Sequence, residues 1–307
     1  MPSMRLALVG FGLIGGSVVR ALRRGAGAPD PWSSDLEIAA WSPSGEGPRR
    51  AVEEGLVDLA PASAEAALEG AGLVLLAGPP TTVLEWLDRL AGPLAGLLGP
   101  DAVVTDVAST KAAIVERADR LGLRFVGGHP MAGRETSGFG ASRADLFDGR
   151  PWVIVPGRGA DEAAVGLVEG LARAVGAVPV RMAAPEHDLA VAAISHLPLL
   201  ASVALAETVL GRPGEPVPFG AETALRLAAG GWRDATRLAR GDPAMGAGIV
   251  ATNRAAVAEG LRRFRLVVED WLALLEADPV DEAAVAARLA ATRARLEGGA
   301  DDSGPPD

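Results

Sequence analysis

Short apolar runs alternate with helical patterns over about the first 180 residues of the chain. The runs that predict strands cover residues 6–9, 38–41, 73–77, 103–105, 125–127 and 153–155. Short strands separated by helices are typical of a parallel sheet with helices on both faces. We therefore predict an α/β fold for residues 1–181: a Rossmann-type, doubly wound parallel sheet.

The pattern changes after a last strand-like run at residues 178–180. From there to residue 297, apolar positions recur at helical spacing, which predicts an all-helical domain over residues 182–297. Residues 211–218 are rich in Pro and Gly and predict a loop, and residues 298–307 predict a disordered tail. The long apolar stretch at residues 189–205 contains two serines, a histidine and a proline, so we expect a core or dimer-interface helix rather than a membrane span.

A glycine motif follows the first predicted strand and opens the next helix. Its sequence is Gly10-Phe11-Gly12-Leu13-Ile14-Gly15. Gly10 permits a tight turn, Gly12 lets the backbone approach a pyrophosphate, and Gly15 allows close packing of helix and strand. The N–H groups of the helix start, at Leu13 and Ile14, face the phosphates in such a site. The motif predicts a bound dinucleotide.

The choice between NAD and NADP depends on the end of the second strand. NAD enzymes usually place a carboxylate there for the ribose hydroxyls, but this chain has Ser42, followed by Arg49 and Arg50. A missing carboxylate and a nearby arginine both favour a 2′-phosphate. Either cofactor stays open, with a preference for NADP.

The composition excludes several kinds of site and partner. The chain has no cysteine and only three histidines, so we expect no metal centre. Its 39 acidic and 29 basic side chains give a net charge of -10, which argues against nucleic acid as a partner. No basic segment precedes the first apolar run, and we expect a cytoplasmic protein with no membrane partner.

Two further runs lie where a doubly wound sheet places functional groups, beyond the carboxyl ends of strands. The first, at residues 106–111, contains Ser109 and Lys111, the single lysine of the chain. The second, at residues 127–135, contains His129 between a glycine pair and Pro130. A neutral imidazole at a cleft is suited to accept the proton of an alcohol during hydride removal. His187, between two acidic residues, is expected only to cap a helix.

These runs together resemble the prephenate/arogenate dehydrogenase family, from residue 6 to about residue 253. The resemblance rests on the glycine motif, the runs at residues 106–111 and 129–138, Ser195-His196-Leu197-Pro198, and residues 231–237 followed by Asp242-Pro243. The family fold is a Rossmann domain plus a helical domain that forms a homodimer. Its reaction is the oxidative decarboxylation of prephenate or arogenate with NAD or NADP, in tyrosine biosynthesis.

The resemblance implies roles for individual residues. His129 would accept the proton of the substrate hydroxyl, and Ser109 would lie beside that hydroxyl. Arg237 would bind a substrate carboxylate. Glu135 would lie at the mouth of the site, and His196 would line the pocket, although burial as a core histidine is an equal alternative. Lys111 is a further candidate for substrate binding on other grounds: a single lysine retained in an arginine-rich chain indicates a position that needs a compact ammonium, although chance retention is an equal alternative.

Two departures from the family pattern leave the substrate open. Position 199 holds Leu where the family often has His, and position 246 holds Gly where it commonly has Trp. Other classes stay open as well: a β-hydroxyacid or imine-type dehydrogenase, or a nucleotide-sensing homologue without catalysis. Many β-hydroxyacid enzymes use a lysine in the helical domain, which this chain lacks.

Overall fold

The computed structural model describes residues 4–25, 31–32, 36–134 and 136–300. Its contacts divide the chain into two compact units, one ending at Val257 and the other beginning at Ala258. The first unit therefore extends well past residue 181, where we predicted a domain boundary. Helices after that position are hydrogen-bonded to the sheet half, for example through Thr110 and Thr252, whose hydroxyl oxygens lie 2.8 Å apart.

The first unit is built on a single seven-stranded sheet. The strands are β1 Met4–Val9, β2 Leu36–Trp41, β3 Leu73–Leu76, β4 Val103–Asp106, β5 Phe125–Pro130, β6 Pro151–Pro156 and β7 Val178–Arg181. They lie in the order β2-β1-β3-β4-β5-β6-β7. All of the predicted strands are present, and β1 to β5 are mutually parallel where they pair.

The prediction of a parallel sheet is wrong at β6, which runs antiparallel to β5. A parallel connection needs a long crossover, usually a helix, between consecutive strands. Between β5 and β6 the described residues contain only a 3-10 turn, Phe139–Ala141, so the chain returns along the neighbouring strand instead. The sheet is mostly parallel, with β6 and β7 reversed.

Helices cover both faces of this sheet. In the sheet half they are α1 Leu13–Arg24, α2 Glu46–Glu53, α3 Ala64–Leu68, α4 Pro80–Ala91, α5 Ala112–Arg120 and α6 Glu162–Ala174. Successive strand residues enter two different apolar layers: Leu8 and Leu75 lie in one, and Val9 and Leu76 in the other. Burial of both faces explains why the strands read as continuous apolar runs.

The remaining described residues of the first unit contain no strand, as the sequence predicted. Their helices are α7 Ala184–Val191, α8 Leu197–Leu210, α9 Ala221–Arg226, α10 Gly230–Ala235 and α11 Pro243–Thr252. A π-helical turn, Ala192–His196, joins α7 to α8. By length and composition alone, the continuous stretch Ala184–Leu210 could cross a membrane, and 22% of its most apolar window is buried within the chain.

The second unit is helical in its described part. Helix α12, Arg254–Glu276, begins in the first unit and ends in the second, and α13 spans Glu282–Ala300. Within this unit Arg288 of α13 lies 4.3 Å from the ring centre of Trp271. The predicted disordered tail is wrong for residues 298–300, which continue α13, since neither Gly298 nor Gly299 ends it. Residues 301–307 lie outside the described part.

Two glycines allow a test of how tightly the strand carrying His129 is packed. A methyl group at Gly128 would lie 2.6 Å from the Asp106 carbonyl oxygen and 2.8 Å from Trp152 Nε1, whereas one on exposed Gly166 of α6 would meet nothing within 4 Å. Gly128→Ala should therefore destabilise the protein by about 1–3 kcal/mol. Gly166→Ala should stabilise it by roughly 0.5–1 kcal/mol, because alanine favours a helix. Urea unfolding measures both, and equal effects would contradict the packing described.

Candidate active site

The loop between β1 and α1 has the geometry of a dinucleotide site. Gly10 has φ +93°, and a Cβ there would lie 2.3 Å from the carbonyl oxygen of Ala77. A Cβ at Gly15 would lie 2.9 Å from the Gly10 carbonyl oxygen, so both outer glycines are required by packing. At Gly12 a Cβ would meet nothing within 4 Å, which leaves open space above the backbone.

Helix α1 begins at Leu13, directly after this open space. Gly12 carries no side chain that could cap the helix, so the amide groups of the first turn, at Leu13 and Ile14, are available to a phosphate. The loop therefore fits the pyrophosphate of a dinucleotide.

The loop after β2 brings together the two residues on which the choice of cofactor depends. The carbonyl oxygen of Ser42 accepts a hydrogen bond from the Gly45 amide at 3.0 Å. Arg49 donates from Nε to the Gly45 carbonyl oxygen at 3.1 Å, and its side chain is otherwise exposed. Arg50 instead pairs with Glu54 at 2.9 Å. Of the two arginines, Arg49 is thus the one hydrogen-bonded to the loop.

His129 lies near the carboxyl end of β5 and is hydrogen-bonded to a second histidine. Its Nδ1 is 2.8 Å from Nε2 of His187, and Nδ1 of His187 is 2.8 Å from Oδ1 of Asp188. Both His187 and Asp188 are almost fully buried on α7. The expectation that His187 caps a helix is wrong, since the cap of α7 is Ala183 and the His187 ring faces His129.

When both rings are neutral, this chain of contacts fixes their tautomers. A carboxylate only accepts hydrogen bonds, so Nδ1 of His187 must carry its proton and Nε2 must accept. Nδ1 of His129 then donates, and Nε2 of His129 is left unprotonated. The arrangement leaves His129 with one basic nitrogen available to a ligand.

The electrostatics of the cluster keep His129 neutral. Burial, followed by the proximity of His187, Lys111 and His196, lowers the pKa of His129 well below its ordinary 6.5. Burial alone would raise the pKa of Asp188, but hydrogen bonds from His187 and from the amides of Ala112 and Lys111 hold it below 3.8. A neutral base is therefore connected through His187 to an ionised carboxylate at neutral pH.

Ser109 and His196 contribute two buried polar atoms that lack partners. Within the described residues, neither Ser109 Oγ nor His196 Nε2 makes a hydrogen bond. His196 lies on the π-helical turn, and its Nδ1 is 3.2 Å from Nδ2 of Asn253. Burial lowers the pKa of His196 to about 4, against the opposing effects of Asp188 and the Ser109 backbone. Unpaired buried polar atoms are costly, and their presence is typical of a ligand site.

Lys111 occupies a different place from the one expected of a substrate ligand. Its side chain has no exposed surface, and its ammonium group forms an ion pair with the equally buried Asp106. Substrate binding by Lys111 is therefore not supported, because a substrate cannot reach this group.

Arg237 lies on an exposed turn that α8 holds in place. Ser202 of α8 donates to the carbonyl oxygen of Ala235 at 2.9 Å and accepts from the amide of Ala239 at 3.1 Å, so it binds the backbone on both sides of Arg237. Arg237 is exposed, whereas His187 and His196 are buried. Glu135, which we expected at the mouth of the site, lies outside the described residues.

Three residues of the cluster were missed from sequence: His187, Asp188 and Asn253. Asn253, at the end of α11, donates from Nδ2 to the carbonyl oxygen of Asp188 at 2.8 Å and approaches His196 with the same atom. One local signal in the sequence pointed to two of these residues. Of the three histidines, His187 alone had no role in the predicted site, and it lies next to Asp188.

Comparisons with known proteins match both halves of the chain. Residues 32–181 match the family model for the nucleotide-binding domain of prephenate dehydrogenase, and residues 183–287 match that for its dimerization domain. The glycine motif precedes the first matched range. Prephenate dehydrogenase of Bacillus subtilis is 32% identical over 271 residues, which cover 87% of this chain and 67% of the relative.

Solved structures resemble the chain over almost its whole length. Prephenate dehydrogenase from Aquifex aeolicus, in complex with hydroxyphenyl propionate and NAD+, is 28% identical with a TM-score of 0.80, covering 97% of this chain and 99% of that one. Arogenate dehydrogenase of Synechocystis is 30% identical with a TM-score of 0.72, and the match covers 95% of this chain and 100% of that one. The chain belongs to the prephenate dehydrogenase family.

Proposed function

We propose that the protein catalyses the NAD(P)-dependent oxidative decarboxylation of prephenate or arogenate, giving 4-hydroxyphenylpyruvate or tyrosine. The observation that carries this proposal is the neutral His129, whose Nε2 is left as an acceptor by the contacts to His187 and Asp188. Relatives named prephenate dehydrogenase, cyclohexadienyl dehydrogenase and arogenate dehydrogenase support the same reaction.

In this reaction Nε2 of His129 takes the proton of the substrate hydroxyl while hydride leaves the carbon that bears it. The bound nicotinamide supplies the acceptor for that hydride. The carboxyl group on the opposite ring carbon then leaves as carbon dioxide, and its bonding electron pair makes the ring aromatic. His129 returns the proton to the ring oxygen. The chain's task is to orient the hydroxyl and hold one base, because aromatisation drives the step.

Two of the buried polar atoms without partners, Ser109 Oγ and His196 Nε2, are assigned to the substrate. Ser109 Oγ would hydrogen-bond the ring hydroxyl and help to align it with His129. His196, with Nδ1 accepting from Asn253, carries its proton on Nε2 and would donate it to a substrate oxygen. Arg237 would bind a carboxylate, a task suited to a bidentate guanidinium, and Glu135 would lie at the entrance.

We also propose that NADP is the preferred cofactor. Ser42 replaces the carboxylate that would repel a 2′-phosphate, and the hydrogen bond from Arg49 to Gly45 keeps a guanidinium at the same loop. The Aquifex aeolicus relative is described with NAD+, which makes the preference a point to test on this chain.

The protein is further proposed to act as a cytoplasmic homodimer. Large apolar side chains stay exposed on α7, the π-helical turn and α12, including Leu189, Ile194 and Leu272. A second copy of the chain could cover such surfaces, in agreement with the match to a dimerization domain.

The reaction is tested by incubating the purified protein with prephenate or arogenate, each with NAD+ or NADP+, and following absorbance of the reduced nicotinamide. We expect turnover in at least one of the four mixtures. If none of the four mixtures produces reduced nicotinamide while the protein still binds cofactor, the proposed reaction is rejected. A nucleotide sensor or a different dehydrogenase is then favoured.

The cofactor preference depends on Arg49, with Arg50 as its matched control. Arg49→Ala should raise the KM for NADP+ by roughly tenfold, the effect of one lost charge-assisted contact, and leave the KM for NAD+ unchanged. Arg50→Ala removes an exposed pair with Glu54 and an approach of 5.6 Å to the centre of the Phe139 ring, but no hydrogen bond to the loop, and should change neither KM. Equal effects of the two variants, or a wild-type enzyme at least tenfold more efficient with NAD+, would contradict the proposal.

The contact between the two histidines predicts two kinetic effects of different size. His129→Asn should lower kcat by about 10²–10⁴-fold, the usual contribution of a general base, without loss of cofactor binding. His187→Leu should lower kcat by roughly tenfold or more, because nothing then selects the tautomer of His129. Glu186→Gln alters an exposed neighbour on α7 and should leave kcat unchanged. A fully active His187→Leu enzyme would show that His129 needs no partner.

The pH dependence follows from the lowered pKa of His129. The neutral imidazole is the active form, so activity is present above the pKa and is lost as the pH falls through it. Because kcat/KM reports the free enzyme, its acidic limb should lie well below pH 6.5. A limb at or above pH 6.5 would mean that the burial and neighbouring charges described here do not act on the base.

A further inference from the structure

The carboxylate of Asp106, at the end of β4, holds the backbone beside both proposed catalytic residues. Its Oδ1 accepts a hydrogen bond from the amide of Gly128 at 3.1 Å, and its Oδ2 accepts from the amide of Ala108 at 3.0 Å. Gly128 immediately precedes His129, and Ala108 immediately precedes Ser109. One carboxylate thus joins the two segments that present the base and the hydroxyl.

Lys111 keeps that carboxylate in place. Its ammonium group pairs with Oδ2 of Asp106, and both side chains are completely buried. Burial raises the pKa of Asp106 and lowers that of Lys111, whereas their mutual attraction opposes both shifts. The two backbone hydrogen bonds require an acceptor at Asp106, which favours the ionised pair.

The same lysine also connects to the histidine chain. Its backbone amide donates to Oδ1 of Asp188 at 2.7 Å, the atom that also contacts His187. Its methylene Cδ lies only 3.0 Å from where a Cβ on Gly127 would be, so the stem fills the space beside β5. Contacts through Lys111 therefore reach His129 from two directions, along β5 and through α7.

We propose that Asp106 and Lys111 form a positioning pair, which sets the spacing and orientation of Ser109 and His129 without touching the substrate. This inference rests on the proposed function for its kinetic consequence. A buried ion pair contributes little net stability compared with apolar residues of similar volume, which agrees with a role in geometry. It also explains why the single lysine of the chain lies here: a compact ammonium fits a closed space that a guanidinium would overfill.

The test uses Lys111→Met, which keeps the stem and removes the charge, and Asp106→Asn/Lys111→Met, which removes both charges of the pair. In each, kcat should fall by roughly tenfold or more, since small displacements of reacting groups are costly. The KM and the dissociation constant for NADP+ should stay within about twofold, because neither residue touches a ligand. The control Arg117→Met, on the same helix α5, breaks only an exposed pair with Asp88 and should change nothing.

A second readout does not require turnover. The chain has three histidines, so spectra of protein labelled with ¹⁵N-histidine contain three rings, and His129→Asn identifies the ring of His129. Lys111, His187 and His196 are the groups that lower its pKa electrostatically, from α5, α7 and the π-helical turn. Loss of the Lys111 charge should move the titration of His129 to higher pH, and Arg117→Met should not move it.

Inactivity of the wild-type protein would reject the proposed function and leave this titration as the test of the pair. The pair itself is overturned if either variant binds cofactor, keeps kcat within about twofold of wild type, and leaves the His129 titration unchanged.

Discussion

The geometry of the site depends on the hydrogen bonds made by the buried carboxylate of Asp188. It accepts hydrogen bonds from the amides of Lys111 and Ala112, at 2.7 and 3.0 Å, at the beginning of α5. A carboxylate at a helix N-terminus is stabilised by the unpaired amides and the helix dipole there. The same group orients His187, and through it His129. One side chain therefore connects α7 to the beginning of α5 and also decides which nitrogen of the base is free.

The sheet explains why these groups meet. Strands β1, β4 and β5 are parallel, so the glycine motif and the Ser109 loop, which follow β1 and β4, lie at the same edge as His129, near the carboxyl end of β5. The crevice at such an edge is where open α/β sheets bind ligands. The helical half adds His196 and Asn253 to the same cluster, and its π-helical turn is a feature that recurs at functional sites. The base comes from the sheet and its partners come from the helices.

Much of the sheet half could be predicted from sequence, because each strand carries its own apolar run and the glycine motif is continuous in the chain. The direction of β6 could not be predicted, because an apolar run has the same pattern whether its strand is parallel or antiparallel to the neighbouring strand. The partner of His129 is 58 residues away, and no local pattern joins His129 to His187. The role of Lys111 was misjudged because a sequence shows only which residues are neighbours along the chain. It does not show that the ammonium group of Lys111 is buried against the carboxylate of Asp106. Buried contacts between distant segments were the information missing.

The tautomer of His129 is the central claim, and ¹⁵N spectra of the wild-type protein with labelled histidine near neutral pH measure it directly. The contacts described here predict a neutral ring with its proton on Nδ1, shared in a hydrogen bond with Nε2 of His187, whose own proton lies on Nδ1 toward Asp188. A proton on Nε2 of His129, or on both of its nitrogens, would contradict the account, because no acceptor would then face the substrate hydroxyl.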